Sequence, residues 1–209
     1  LKATVDVVHK NGGVFIADEV QPGFARTGQA FFGFARHGIV PDMITMGKPM
    51  GNGIPISGLA AKEDVLAAFS DKLPYFNTFG GNPVSIAAAQ AVLKYIKDEN
   101  LQEHCKKAGG ALLKALKEVQ ERHPESVGDV RGAGLFLGFE FVKNDGNKTP
   151  DKDMALNVIE MLRDEHILTS VIGHYGNILK LRPPMVFSEN DIDWFATSLD
   201  KCITKLENK

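Results

Sequence analysis

The sequence is poor in several features that would indicate a specialised class of protein. It contains 2 cysteines, 1 tryptophan and a formal net charge of −2, and no stretch approaches the roughly 18 consecutive apolar residues of a membrane helix. The small net charge and the absence of a basic patch give no indication of a nucleic-acid partner. Cys105 and Cys202 both fall in helical patterns, which favours two reduced thiols over a disulfide.

Reduced thiols indicate a reducing compartment, so we expect a cytoplasmic protein. The chain opens on Leu1, and Leu1, Val5 and Val8 follow the spacing of a helix. We therefore expect this sequence to be the C-terminal part of a longer protein. A mitochondrial location stays open as an alternative, because a targeting segment would lie upstream.

The composition is that of an ordinary globular protein. The 209 residues are 44% apolar and 24% charged, which suits one large domain or two small ones. The order of strand and helix patterns predicts an α/β fold. We predict part of a large α/β domain over residues 1–100, then a connecting helix and a small α+β domain over residues 101–209.

Short apolar runs at residues 14–17, 42–46 and 56–61 predict three strands in the first part of the chain. The continuous run at 14–17 is typical of a strand that is buried on both faces of a parallel sheet. Asn82 and Pro83 predict the start of a long helix, since asparagine caps helices and proline fits the first turn.

Later in the chain, apolar residues at helical spacing predict an amphipathic helix over residues 101–122. Residues 127–138 are interpreted as a glycine-punctuated turn that leads into a strand at 135–142. A helix over 154–165, strands over 167–172 and 177–181, and a final helix capped by Ser188 complete the prediction.

Three polar groups follow strand ends or turns in the first domain. Asp18 and Lys48 each come after a predicted strand, and Thr78 lies in a turn before the Pro83 helix. Ligands of open α/β sheets bind at the carboxyl ends of strands. A carboxylate, an amine and a hydroxyl at a helix N-terminus match the ring nitrogen, aldehyde and phosphate of pyridoxal 5'-phosphate. Each residue alone is more often a turn residue, a solvated lysine or a local cap.

The amino-acid identities of the motifs give information beyond their spacing. In this order, the motifs resemble those of the class III (omega) aminotransferases, which are pyridoxal-phosphate enzymes of fold type I. The similarity extends to the branch that contains alanine–glyoxylate aminotransferase 2 and the ethanolamine-phosphate phospho-lyases. The motifs are DEVQ at 18–21, GFARTG at 23–28, KPMGNG at 48–53, TFGGNP at 78–83, GDVRG at 128–132 and the two prolines at 183–184.

The resemblance implies a role for each matching residue. Lys48 would form a Schiff base with the cofactor and move a proton between the substrate Cα and the cofactor C4′. Asp18 would bind the protonated ring nitrogen, Val20 would pack on one ring face, and Gln21 would approach the ring 3′-oxygen. Thr78 would bind the cofactor phosphate of the neighbouring subunit, which implies a homodimer with shared sites.

Two departures from the family pattern bear on activity. The family's N-terminal half, which carries a phosphate loop and a stacking aromatic residue, has no counterpart in these 209 residues. A fragment that folds without catalysis is therefore one of the readings left open. Ala25 also stands where the family has glycine, and we expect it to forgo positive φ and to shift the loop slightly.

The third departure concerns the substrate. Many members carry an arginine three residues before the first proline of the Pro183-Pro184 pair, where it clamps a carboxylate; here that position is Lys180, with Arg182 two residues on. Lysine cannot offer arginine's bidentate fork. The resemblance thus implies an aminotransferase that acts on an amino donor and an oxo acid, or a phospho-lyase that acts on a phosphorylated amine. The six histidines show no metal-ligand spacing, so no metal is expected.

Overall fold

The structure is a computed structural model, and it describes residues 1–208. The chain divides into two compact units, Leu1–Gln102 and a second unit that starts at Glu103. The division falls in the first turn of one helix. No helix among residues 1–208 is long and apolar enough to cross a membrane.

The first unit combines a small sheet with three helices. Its elements are α1 (Lys2–Lys10), β1 (Ile16–Asp18), β2 (Met43–Met46), β3 (Gly58–Ala61), α2 (Glu63–Ser70) and α3 (Pro83–Asp98). The sheet order is β1-β2-β3, in which β1 pairs parallel to β2 and β2 pairs antiparallel to β3. The register places Asp18 opposite Thr45 and Thr45 opposite Leu59. Asp18 and Thr45 therefore lie at the same edge of the sheet.

One expectation about the first strand is wrong. The run at 14–17 was expected to be buried on both faces, but Val14 is 49% exposed and Ile16 is 51% exposed. Only Ala17 of β1 is buried. Within residues 1–208, β1 is an edge strand of a three-stranded sheet, and no helix or second sheet layer buries Val14 or Ile16.

Asp42 ties three elements of the first unit together. It is largely buried. Its carboxylate accepts hydrogen bonds from Lys62 Nζ at 2.7 Å and from the Phe15 amide at 2.8 Å, and it lies 2.7 Å from His9 Nε2. These partners come from the residue before α2, the residue before β1, and α1. These hydrogen bonds hold the pKa of Asp42 well below its usual range. The bond from Lys62 has the largest effect, and the bond from Phe15 the next largest.

The second unit is a four-stranded antiparallel sheet with helices on one face. Its elements are α4 (Leu101–Arg122), β4 (Val127–Ala133), β5 (Phe136–Phe141), α5 (Lys152–Asp164), β6 (Ser170–Ile172), β7 (Ile178–Leu181) and α6 (Glu189–Glu207). The sheet order is β4-β5-β7-β6. Alternate residues of the strands pack on the three helices, and among the fully buried side chains are Leu112, Leu116, Phe139, Phe141, Leu162, Leu179 and Leu199.

The opposite face of this sheet is only partly covered. The strand registers align Arg131, Gly138, Lys180 and Ser170 in one row across all four strands. These positions alternate with the buried ones, and none of the four is buried. The row thus sets Lys180 in the middle of an accessible sheet surface.

The region 127–138, interpreted from sequence as a turn, is mostly strand. β4 runs to Ala133 and pairs with β5 along its length, with an irregularity between Val127 and Asp129. A Cβ at Gly132 would lie 2.2 Å from Phe136 O, so glycine is required here by the close approach of the two strands. The other predicted elements are confirmed to within a few residues, including the Asn82 cap and the Ser188–Asp191 capping box.

Asp42 yields a prediction about stability and pH. Its folded-state pKa is depressed, so its contribution is fully present above the unfolded pKa of about 3.9 and is lost as pH falls below that value. We expect Asp42→Asn to lower the melting temperature at pH 7, and we expect the gap between wild type and variant to narrow as pH falls from about 5 to 2. Thermal unfolding followed by circular dichroism measures both.

The exposed α1 residue Asp6, changed to Asn, controls for the loss of one negative charge. A gap between wild type and Asp42→Asn that stays constant down to pH 2 would contradict the assigned role of the carboxylate.

Candidate functional site

Asp18 ends β1 with its carboxylate at the surface of the sheet edge. Both hydrogen bonds that reach this carboxylate within residues 1–208 end on Oδ1: the Val20 amide donates at 3.1 Å and Thr45 Oγ1 donates at 3.3 Å. The side chain is exposed. A carboxylate with one oxygen held by the protein can present the other to a cationic ligand.

Lys48 follows β2 and occupies an unusual backbone conformation. Gly47 separates it from the strand, and Lys48 begins a short 3-10 helix, Lys48–Met50. Its φ is +42°, in the left-handed region that costs a non-glycine residue about 1–2 kcal/mol. Hydrogen bonds from Met50 N to Gly47 O (3.0 Å) and from Gly51 N to Lys48 O (3.3 Å) hold this geometry. Strain of this kind clusters at functional sites.

Val20 and Gln21 lie in the turn that follows β1. A Cβ at Gly47 would lie 3.9 Å from Val20 Cγ2, so Val20 packs beside the residue that precedes Lys48. Val20 is half-buried and Gln21 is exposed. The ends of β1 and β2 therefore bring Asp18, Val20 and Lys48 to one sheet edge.

Glu19 fixes this turn, and the sequence reasoning assigned it no role. It is 2% exposed, and its carboxylate accepts hydrogen bonds from the Gly33 and Phe34 amides, both at 2.7 Å. Its own amide donates to Thr45 O at 3.0 Å, and its carbonyl accepts from Gly23 N at 3.1 Å. All its hydrogen-bonding groups are engaged, so the loop over residues 20–34 is anchored to the end of β1. An acidic residue next to a strand-ending Asp and before a glycine-rich loop is the signal that could have identified it.

The expectation for Ala25 is wrong. Ala25 adopts φ +67°, although glycine usually occupies such a conformation, and its neighbour Phe24 adopts φ +56°. Ala25 is fully buried. Its amide donates a hydrogen bond to Phe31 O and its carbonyl accepts one from Gly28 N, each at 2.9 Å. These contacts hold the alanine in the left-handed region that it was expected to forgo.

The turn that contains Thr78 is closed by two asparagines. Asn77 Oδ1 accepts from the Phe79 and Gly80 amides at 3.1 and 3.0 Å, and Asn82 Oδ1 accepts from Ser85 N at 3.0 Å as the N-cap of α3. Gly81 has φ +70°. Thr78 is exposed at the tip of this turn.

A cleft of about 630 Å³ joins Lys48 to this turn. Ser85 Oγ donates to Pro55 O at 3.1 Å, which links the first turn of α3 to the loop after Lys48. The lining residues come from both segments and are Lys48, Gly53, Ile54, Pro55, Ile56, Ser57, Asn77, Phe79, Gly80, Gly81, Asn82, Ser85 and Ile86. Within the described part of the chain, Asp18, Val20, Gln21 and Thr78 do not line it.

Lys180 and Arg182 lie in the second unit. Lys180 is opposite Gly138 and Ser170 on the accessible sheet face, and Arg182 Cζ lies 5.0 Å from the centre of the Phe136 ring, at cation–π distance. Both line a cleft of about 570 Å³ whose walls include Leu168, Phe187 and Trp194. Two cations beside apolar walls can bind an organic anion.

Arg131 is bound to carboxylates of its own sheet. Its Nη1 donates to Asp129 at 2.6 Å and to Glu140 at 2.5 Å, and these bonds raise the pKa of Arg131, that from Glu140 most strongly. Its charge is thus partly compensated within the unit. Among residues 1–208, no group of His, Cys, Asp and Glu side chains could hold a metal ion.

The first unit's residues fit the polar groups of pyridoxal phosphate. Oδ2 of Asp18 is open to a ring N–H, Lys48 lines a cleft, and the exposed Thr78 lies in the turn before the N-terminus of the 16-residue α3. This set of groups supplies an anion for the ring nitrogen, an amine for the aldehyde and a hydroxyl donor for a phosphate.

Comparison with known proteins agrees with this geometry. The sequence model described as "Aminotransferase class-III" matches residues 1–203. The chain is 44% identical over 200 residues to ethanolamine-phosphate phospho-lyase homolog 1 of Caenorhabditis elegans, covering 94% of this chain and 43% of that protein. It is 41% identical over 206 residues to the mitochondrial alanine–glyoxylate aminotransferase 2 homolog 2 of Arabidopsis thaliana, covering 99% and 43%.

A solved structure shows the same fold. A phospholyase from Arthrobacter in complex with phosphoethanolamine has a TM-score of 0.93 at 38% identity, over 97% of this chain and 48% of that one. The predicted fold class, the C-terminal half of a fold type I transferase, is confirmed by this and a further solved aminotransferase. The chain spans less than half the length of each of these three proteins.

The strained backbone at Lys48 gives a prediction about stability. Glycine adopts positive φ without a Cβ clash, so we expect Lys48→Gly to raise the free energy of unfolding by about 1 kcal/mol relative to Lys72→Gly. Lys72 is an exposed turn lysine that does not have positive φ, so the comparison cancels the backbone entropy of glycine and the loss of the side chain. Urea unfolding measures the difference. Equal effects of the two substitutions would show that the Lys48 conformation carries no strain.

Proposed function

This chain belongs to the class III aminotransferase family, and we propose that it carries the lysine-bearing half of a pyridoxal-phosphate site that moves an amino group from an amino donor to an oxo acid. The observation that carries the proposal is the arrangement at the ends of β1 and β2. There a strained, exposed Lys48 lines a cleft and an exposed Asp18 ends the neighbouring parallel strand.

Each residue receives a role from its chemistry. Lys48 Nζ holds the aldehyde carbon of the cofactor and carries the proton that moves during the reaction. Asp18 Oδ2 accepts the hydrogen bond of the ring N–H, Val20 packs against the ring, and Gln21 approaches the ring 3′-oxygen. When bound, the cofactor supplies an electron sink for the electrons left on the substrate carbon.

We also propose that the protein works as a homodimer in which Thr78 binds the cofactor phosphate of the partner subunit. The surface around Thr78 supports this. Tyr75, Phe76 and Phe79 are 74%, 86% and 79% exposed, and clustered exposed aromatic residues are typical of protein interfaces. A partner that covered them would lie beside Thr78.

A second candidate function, a phospho-lyase, is favoured by Lys180. Lysine takes the place of the carboxylate-clamping arginine and offers a compact point charge instead of a bidentate fork. Lys180 and Arg182 line one cleft, where two cations suit a phosphate. The similarity to the Arthrobacter phospholyase, solved in complex with phosphoethanolamine, supports the same reading. The substrate would then be a phosphorylated amine, and phosphate would leave it by elimination.

A cofactor-binding experiment tests what both candidate functions require, namely pyridoxal phosphate bound at Lys48. We expect the purified chain to develop a visible absorbance band with pyridoxal phosphate, because Lys48 condenses with the aldehyde. Borohydride reduction and peptide mass spectrometry should then find the cofactor on Lys48. Lys48→Ala should abolish the band, whereas Lys72→Ala should retain it. The same spectrum from wild type and Lys48→Ala would refute cofactor binding at this site and leave the third reading, a non-catalytic fragment.

A substrate assay separates the two reactions. With pyridoxal phosphate bound, we expect amino transfer that requires both an amino donor and an oxo acid. We expect a phospho-lyase instead to release inorganic phosphate from phosphoethanolamine without any oxo acid. Phosphate release that is independent of oxo acid and that is lost in Lys180→Met would overturn the aminotransferase proposal in favour of the second candidate.

A further inference from the structure

We infer that Thr45 is a positioning residue that orients the Asp18 carboxylate toward the cofactor ring nitrogen. The inference rests on the proposed function, because it concerns how Asp18 is held toward that ring. It adds a residue that lies outside the sequence motifs described above.

The geometry of the pair carries the inference. Thr45 lies directly opposite Asp18 in the parallel pairing of β1 and β2, so the two side chains share one face of the sheet. Thr45 Oγ1 donates to Asp18 Oδ1 at 3.3 Å, and the Val20 amide donates to the same oxygen at 3.1 Å. Two donors on Oδ1 fix the plane of the carboxylate and leave Oδ2 as the accepting atom.

Thr45 is itself rigidly placed. Its carbonyl accepts the Glu19 amide at 3.0 Å, and its backbone pairs with Leu59 of β3 on the other side. As a β-branched residue in a strand, it has few accessible χ1 rotamers, so the direction of its hydroxyl is largely set. The buried Glu19 carboxylate anchors the loop that supplies the Val20 amide. Both donors to Oδ1 are therefore fixed by groups that do not touch the ligand.

The consequence for binding follows from hydrogen-bond geometry. A charged N–H···O⁻ bond between the ring nitrogen and Oδ2 is strong but weakens steeply with misalignment. If Thr45 lost its hydroxyl, the carboxylate would be held by the Val20 amide alone and could rotate. The loss of affinity should come from a weaker hydrogen bond to the ring nitrogen, while the contacts of the aldehyde and phosphate stay unchanged.

The test compares pyridoxal phosphate with its 1-deaza analogue, in which a C–H replaces the ring nitrogen. We expect Thr45→Val, which keeps the β-branched shape, to raise the dissociation constant of pyridoxal phosphate about tenfold. We expect it to change the dissociation constant of the analogue less than about twofold, since Oδ2 has no N–H to meet there. Thr45→Ser should restore most of the affinity, and Thr4→Val, at an exposed position on α1, should resemble wild type. Absorbance titration of the whole chain measures every constant.

Four outcomes would overturn the inference. Equal weakening of both ligands by Thr45→Val would assign Thr45 a general structural role, and a parallel fall in the melting temperature of the free chain would confirm that role. Unchanged dissociation constants for both ligands would show that the bond from Thr45 to Oδ1 does not contribute to binding. Failure of wild type to bind pyridoxal phosphate, or an Asp18→Asn variant that binds both ligands as wild type does, would refute the proposed function itself, and the role of Thr45 with it.

Discussion

β1 and β2 pair in parallel with Asp18 opposite Thr45, and Asp18, Val20 and Lys48 take their positions from that pairing. A slip of one residue would turn Asp18 to the other face of the sheet and separate it from Thr45. Carboxylates hold the pair at both ends. Asp42 bonds the Phe15 amide where the strands begin, and Asp18 bonds Thr45 where they end. Asp18 and Asp42 thus stabilise the strand pair, independently of any ligand.

The second unit is organised by alternation within an antiparallel sheet. One face carries the side chains that pack on α4, α5 and α6, so the other face is free to present polar groups. Gly138 lies beside Lys180 in the same row and offers no side chain to cover it. Lysine carries a compact charge on a flexible stem, whereas the guanidinium of Arg182 lies 5.0 Å from the centre of the Phe136 ring. The two cations therefore differ in how readily they adapt to an anion.

Sequence reasoning predicted the features that depend on local pattern. The Asn82 and Ser188 caps, the bounds of α4 and the strand before Lys48 follow from turn chemistry and periodicity, and the structure confirms them. The features it missed depend on pairing between segments. The 127–133 segment is a strand because β5, the next strand along the chain, supplies its hydrogen bonds, although its glycines favoured a turn. Thr45 and Glu19 likewise gain their importance only from the register and from a loop some fourteen residues away.

Backbone strain near the candidate site explains why so many hydrogen bonds converge there. Phe24, Ala25 and Lys48 all have positive φ, at about 1–2 kcal/mol each, in a protein class whose total stability is about 5–15 kcal/mol. Conformations of this kind persist only where the surroundings determine them, and Glu19 provides such surroundings. Its carboxylate ties the 20–34 loop, which contains two of the strained residues, to the strand end beside Asp18. The anchor that offsets the strain of the loop is therefore also the one that fixes the Val20 amide on Asp18, so loop conformation and carboxylate orientation depend on one side chain.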